Sequence, residues 1–595
     1  MSNSLLSYFE QELRFIRNEA TQFAERHPGA ARALSIRKDS IDDPQIARLI
    51  ESVALMNGKL QQRLDDSYPE LTESLVTLLF PHYLRPIPSY TMLDFEVEKD
   101  ANAKHMIPKE TEFDLMGEGE GEEPLVFRTT EDIEIFPISV SSAEVLFAPF
   151  ELAKPSGAES AKAMLELTIT ATDEGIELSE LGMESLTLHL KGESHFALRL
   201  YDVLAQGVAQ VALQCEGGAV LLGPSALQPI GFDAENTVLP YQAASFGGFK
   251  LLTEFLMFPE RFQGVSIDFA RLGQRRLGAE CRLQIFLDEI SVEQARSIQT
   301  QHFSLFSVPL VNLHSKISEP IHIDFSQKQY PVYLDSNQRS DLEVFSVDEV
   351  VDVTEGEPCV VPPLYGEKYT STNNSLRWQL VQSIHERGVL SSSLKVADLG
   401  HVSAKVGERV WTVTTTASDG VSAGSLPVTS QIACRDALTI PATMSLSRRP
   451  TLPVRSRDAN KNVWALLCHL HFNYHAILGT DNPTATLRNV LELYNHNQAV
   501  QNQVYIDALL EITQEQVVAP LRVSGKTCFA YGTKIAVTLE ASNVNGGIAL
   551  FAHLLDRFFA YFAGFNSFTQ LDVYLEGQDG VYLSFPRRTG CKSLL

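Results

Sequence analysis

The chain has 595 residues, 44% hydrophobic and 21% charged, a balance that excludes wholesale disorder and, at roughly 150 residues per domain, allows about four domains. With 48 Lys and Arg against 74 Asp and Glu, the formal charge of −26 argues against a general nucleic-acid or anionic-membrane binder, whose affinity comes from clustered cations. The seven cysteines, at 215, 281, 359, 434, 468, 528 and 591, leave no CxxC pair for zinc or redox chemistry and read as reduced thiols in a cytosolic protein.

The first 15 residues lack a basic stretch followed by an apolar one, so no secretory signal is expected. Leu5, Phe9, Leu13, Ile16, Ala20 and Phe23 form one helical stripe, which His27-Pro28-Gly29 should end. Asp43-Pro44 reads as an N-cap with proline at the first helical position. Ile46, Leu49, Ile50, Val53, Leu60 and Leu64 then recur at helical spacing, with Met56 beside them. A third helix is expected from Ser67-Tyr68-Pro69 through Leu71, Leu75, Leu78 and Leu79 to Pro81. Three such helices make too small a core to stand alone, so their apolar faces should pack on the rest of the chain or on another protein.

Pro86 and Pro88 mark a boundary, after which the pattern shifts to period two, as in Leu93, Phe95 and Val97, and in Leu165, Leu167 and Ile169. Residues 91–190 hold 23 Asp or Glu and 6 Lys or Arg, so most of the negative charge sits there, and the run 117–123 reads as a solvated loop. Short strands punctuated by Gly and Pro continue to about 350 and suggest sandwich- or barrel-like modules. Residues 354–376 read as a connector, followed by a strand near 410–416 and the loop Arg448-Arg449-Pro450-Thr451-Leu452-Pro453.

A helical pattern returns over 462–478. The end is α+β: a strand with Ile535, Val537 and Leu539, a helix over 548–563 capped by Gly564, and a hairpin in which Leu571, Val573 and Leu575 face Val581, Leu583 and Phe585. Asp556, Arg557 and His553 interrupt the 548–565 stretch, and no segment approaches the roughly 18 uncharged apolar residues that span a bilayer. The fold class is thus α+β and multidomain: a helical region at 1–90, an acidic β-rich domain at 91–240, a β-rich domain at 241–353, a connector with a β-rich wing-like region at 354–460, and an α+β domain at 461–595.

Five motifs invite a chemical reading. Gly420-Val421-Ser422-Ala423-Gly424 matches the GxSxG nucleophile elbow, but Pro427 and the β-branched residues around it favour a turn loop. Gly525-Lys526-Thr527 resembles the end of a phosphate loop, yet Pro520 stands where its first glycine belongs, and a solvent-facing turn is the better reading. Cys468, His471 and His475 share a helical face of zinc-ligand types, without the glutamate of a metalloprotease; packed histidines are commoner. Asp65, Asp66 and Glu70 suit a helix terminus, and the 117–123 tract lacks the oxygen ladder of a calcium loop. An enzymatic alternative, a β-sandwich hydrolase or a metal-dependent enzyme, rests on Ser422 or on the Cys468/His471/His475 face.

Several ordered runs resemble a known family: Tyr8-Phe9-Glu10-Gln11-Glu12-Leu13, Phe23-Ala24-Glu25-Arg26-His27-Pro28, Asp43-Pro44, residues 64–72 (LDDSYPELT) and residues 81–89 (PHYLRPIPS). The resemblance recurs at Phe258-Pro259-Glu260-Arg261-Phe262, at 469–474 (HLHFNY), at Leu555-Asp556-Arg557-Phe558-Phe559 and at 566–571 (NSFTQL). Together they are similar to the TssF family of the bacterial type VI secretion baseplate, with a departure at His471, where the family pattern has a small polar residue.

The resemblance implies a non-enzymatic scaffold without cofactor or metal, similar to the wedge proteins of contractile phage tails. Two copies would join one TssG, the wedge would meet TssK and TssE around the VgrG spike, and the baseplate would seed the Hcp tube and its sheath. It also implies a cytoplasmic location, docked at the inner-membrane complex through other subunits. The amphipathic N-terminal helices need a partner surface, and the residues expected to provide it are Phe9, Leu13, Ile16, Leu49, Val53, Leu60, Leu64, Pro81 and Tyr83.

Overall fold

The computed structural model describes residues 8–10, 12–16, 19–20, 23, 26–29, 43–65, 83, 85–117, 123–150, 154–173, 175–215, 218–233, 235–241, 245–270, 272, 277–335, 342–354, 356–364, 375–384, 390–399, 407–436, 438–455, 478–480, 482–523, 526–564 and 567–590, with the backbone alone followed at 61–65 and 521–528. The chain divides into two compact units, residues 1–84 with 458–470 and residues 85–457 with 471–595.

In the first unit the helix Pro44–Asp65 begins as its sequence dictates. The Asp43 carboxylate accepts the Gln45 N–H at 2.8 Å, and Pro44 fills a position whose N–H has no helical partner anyway. Residues 8–10 and 12–16 are also helical; His27 interrupts the run, but 28–29 turn again rather than leaving it. The third expected helix, 67–79, lies outside the described residues.

The second unit is built mostly from antiparallel sheets, some with strands from distant parts of the chain. Among the described residues, one six-stranded sheet runs in the order Gln431–Cys434, Glu112–Met116, Leu125–Thr129, Ser307–Val311, Tyr90–Val97, Ala442–Leu446. Its members span residues 90 to 446, so the chain leaves this sheet and returns to it. The insertions hold a five-stranded sheet around Glu280–Leu287 and a four-stranded one around Gly264–Asp268. A separate hydrophobic core runs from Ile321 to Ala417, with Trp411, Val413 and Leu394 fully buried, and draws strands from both sides of residue 353.

Strand alternation explains how so acidic a segment folds. Ala163–Ala171 buries Leu165, Leu167 and Ile169 while Glu166 points to the other face and accepts a bond from Gln284 at 2.8 Å.

At the C-terminal end the strands Leu509–Val523 and Lys526–Leu539 pair along their whole length, and Ser567–Leu575 adds in parallel beside the second. Val573 lies opposite Leu583, the register that apolar alternation implies. The helix Ile548–Ala560 ends three residues before the expected 563, with Tyr561 as its cap in place of Gly564. Its N-terminus is held by Asp202, whose carboxylate accepts the N–H groups of Gly547 at 2.7 Å and Ala549 at 2.8 Å; burial raises this carboxyl to about 6.

His553, on the same helix, sits among the rings of Tyr201, Phe232 and Phe585, and among the described residues its Nδ1 has no hydrogen-bond partner. Burial, and then the cations of Arg557 and Arg588, lower its pKa to about 3. The unfolded chain therefore takes up a proton near 6.5 that the folded chain refuses until about 3. Stability from this group is full above 6.5 and is lost as the pH falls through that window, by about 2 kcal/mol at pH 5. In urea titrations at pH 7 and 5, His553→Phe is expected to remove a loss of that size; an unchanged pH dependence would refute the assignment.

Candidate partner-binding surface

The helix Pro44–Asp65 has two unlike sides. At 100° per residue, Leu49, Val53, Met56 and Leu60 fall on one stripe with 4-3-4 spacing, while Ala54 and Gly58 lie on roughly the opposite side. The small side is the one packed within the chain: Ala54 is fully buried, and a Cβ on Gly58 would come within 3.1 Å of the Phe9 backbone N, so glycine permits close approach of the two helices. The bulky side faces outward, with Leu49 66%, Met56 72% and Leu60 61% exposed, and Val53 exposed as well. A lone helix in water does not keep such a stripe uncovered without cause; apolar heptad spacing is what a partner helix seats against.

The other expected interface residues are distributed differently. Phe9, Leu13 and Ile16 are half-buried, and Tyr83 is buried at 3% exposure. Pro81 and the side chain of Leu64 lie outside the described residues. Phe15, absent from the expected set, is 61% exposed, and Leu55 is exposed too; each sits off the stripe that periodicity picks out.

Three of the recurrent sequence runs are packing nodes in their described residues. Arg85, in 81–89, donates to the Pro240 carbonyl at 3.4 Å and lies 5.5 Å over the Phe345 ring, while Ile87 bridges to Val454. In Phe258-Pro259-Glu260-Arg261-Phe262, Phe258 packs on Tyr90 with ring centroids 4.6 Å apart, Glu260 pairs with Arg448, and Phe262 packs on Phe232 and Phe255. Arg261 forms a buried ion pair with Glu254, whose other oxygen accepts the Val238 N–H at 2.8 Å. In Leu555-Asp556-Arg557-Phe558-Phe559, Asp556 pairs with Arg588 and both phenylalanines are buried.

Among the described residues the chemical alternatives gain no site. A short helix, Gly420–Ser425, does form after the strand Arg409–Ser418, contrary to the turn loop expected there; Pro427 follows its C-cap, Leu426, and so ends the helix instead of forbidding it. Ser422 lies inside that helix rather than at the sharp bend that lifts a nucleophile. The adjacent Asp419 is committed to structure, accepting from Asn312 at 2.7 Å.

Val523 pairs with Lys526, so Lys526 and Thr527 open a strand, not the helix a phosphate loop requires. Cys468, His471 and His475, Asp66 and Glu70, and 118–122 of the acidic tract fall outside the described residues. Among the described residues no group of three or more His, Cys, Asp or Glu could hold a metal ion, and no helix is long and apolar enough to cross a membrane.

A family model described as type VI secretion system TssF matches residues 1–592. The type VI secretion system component TssF1 of Pseudomonas aeruginosa is 26% identical over 625 residues, covering 100% of both chains. A chain in the solved TssK–TssF–TssG baseplate subcomplex of a type VI secretion system shares the fold at a TM-score of 0.71 and 22% identity, covering 92% of this chain and 99% of that one. A chain of a second solved type VI baseplate complex matches at a TM-score of 0.58 and 21% identity, over 99% and 100% of the two chains.

Proposed function

Because the chain belongs to the type VI secretion system TssF family, a non-enzymatic structural component of the baseplate, we propose that it works as a wedge subunit, two copies clasping one TssG. The wedge joins TssK, as the composition of the similar solved subcomplex suggests, and TssE. Wedges ranged around the VgrG spike on the cytoplasmic side of the membrane complex then form the platform on which the Hcp tube and sheath grow. The observation that carries this reading is the uncovered 4-3-4 stripe of Leu49, Val53, Met56 and Leu60. A scaffold binds through complementary buried surface, and this is an apolar helical surface already ordered by its small-residue side.

Native mass spectrometry of the full chain co-expressed with a TssG subunit tests the stoichiometry. The expected species holds two copies of this chain and one TssG. Recovery of monomer alone, with both proteins folded, would overturn the reading.

A further inference from the structure

We propose that the free end of the C-terminal hairpin is a second docking surface, on which Val518, Pro520, Phe529 and Tyr531 seat the apolar face of a helix from a different baseplate subunit. The inference rests on the assembly role proposed above. The two hairpin strands pair from Leu509↔Leu539 out to Val523↔Lys526, but the third strand joins only at Tyr531↔Ser567. Among the described residues, the sheet is two strands wide from Val518 outward for about 17 Å at 3.4 Å per residue. A two-stranded ribbon is marginal in water unless something packs on it.

The register puts Val518 opposite Tyr531 and Pro520 opposite Phe529, all on one face. Val518 is 57%, Phe529 78% and Tyr531 76% exposed. Toward the base this same face carries Ile512, Ile535 and Val537, which are buried; the helix Pro483–Tyr494 packs on the strand Leu509–Val523 there, and the helix Ile548–Ala560 on the neighbouring strand Ser567–Leu575. The exposed end is therefore a core face that outruns its own helices. The opposite face is closed by Val517, Ala519, Ala530 and Phe568, with Arg587 5.6 Å over the Phe568 ring and donating to the Pro520 carbonyl at 3.3 Å.

Three arguments select the occupant. A face covered by helices at its base is shaped for another helix beyond them. Strand addition at the outer edge is opposed by Pro520, which has no N–H to give. A free dimer of this chain through this patch alone is also a poor fit: the exposed side chains offer on the order of 400 Å². Two such patches would bury about 800 Å², short of the roughly 1,200 Å² that a stable specific interface needs. The contact belongs inside a larger assembly, where other surfaces already hold the partner.

The test uses the full chain, free and reconstituted with TssG and TssK subunits. Hydroxyl-radical footprinting should show Phe529 and Tyr531 protected about fivefold or more on assembly. A photo-crosslinking phenylalanine at 529 should join a helical peptide of a different subunit. Phe529→Asp with Tyr531→Asp should weaken that subunit's binding about tenfold or more while leaving the melting curve unchanged, since both side chains are exposed in the free chain. Native mass spectrometry of the same sample separates the two levels of the argument. An intact assembly with unprotected aromatics, or a crosslink to a second copy, overturns this surface alone. Failure of any assembly to form overturns the reading beneath it, and this surface with it.

Discussion

Leu49→Asp combined with Val53→Asp is expected to leave the chain folded and to cripple its capture of TssG. Both side chains are exposed on the chain alone, and the helix is anchored from the other side by Ala54 and Gly58. New carboxylates here stay hydrated until a partner covers them. Each would then be desolvated without a counter-charge, at several kcal/mol apiece. Together they should weaken binding by about a thousandfold or more, which is about 4 kcal/mol. Isothermal titration with TssG measures the loss, and circular dichroism melting checks the fold. Gly58→Leu supplies the contrast: its side chain would strike the Phe9 backbone and lower the melting temperature of the chain itself. Wild-type affinity in the double aspartate variant would mean that the stripe faces water in the assembly too.

How much of this was legible depended on whether a pattern has one cause. The helix starting at Asp43-Pro44 was legible because cap, proline and heptad spacing all agree, and Ile535, Val537 and Leu539 showed their strand because one face of it is buried. The partner strand Leu509–Val523 was not foreseen: its base buries one face, its free end exposes Val518 and Pro520 on that same face, and Pro520 argues against a strand at all. The exposed stripe was legible as apolar periodicity, but periodicity does not say which side of a helix its own chain uses. That was decided by two small residues, Ala54 and Gly58, which hydrophobic patterning ignores. Likewise the ordered runs identified the family while concealing their physical work. Nothing in the letters of Phe258-Pro259-Glu260-Arg261-Phe262 reveals that Arg261 is buried against a glutamate seven residues earlier.

That pair carries the second large expected effect. Glu254 and Arg261 are 3% and 4% exposed, and the Glu254 carboxylate also accepts the Val238 N–H at 2.8 Å while Arg261 reaches the Asn236 carbonyl. The pair thus ties the 236–239 segment to the helix Gly247–Met257 and to the turn Pro259–Phe262. Arg261→Met removes the cation and leaves a buried carboxylate, a change that should lower stability by about 3–5 kcal/mol. The loss has a pH signature. Burial already raises the Glu254 pKa, with Arg261 the largest influence opposing it, so without Arg261 the carboxyl rises further.

For an acid whose folded pKa lies above its unfolded one, the cost is absent below the unfolded value and grows as the pH rises toward the folded value. The variant should therefore be less impaired at pH 5 than at pH 8 in urea titrations. Glu254→Leu placed in the Arg261→Met background should recover part of the loss, because no buried charge remains and the two apolar side chains fill similar space. A variant equally impaired at both pH values, with no recovery in the double substitution, would show that Arg261 matters for its packing on Phe262, where its guanidinium lies 5.7 Å from the ring, and not for its charge.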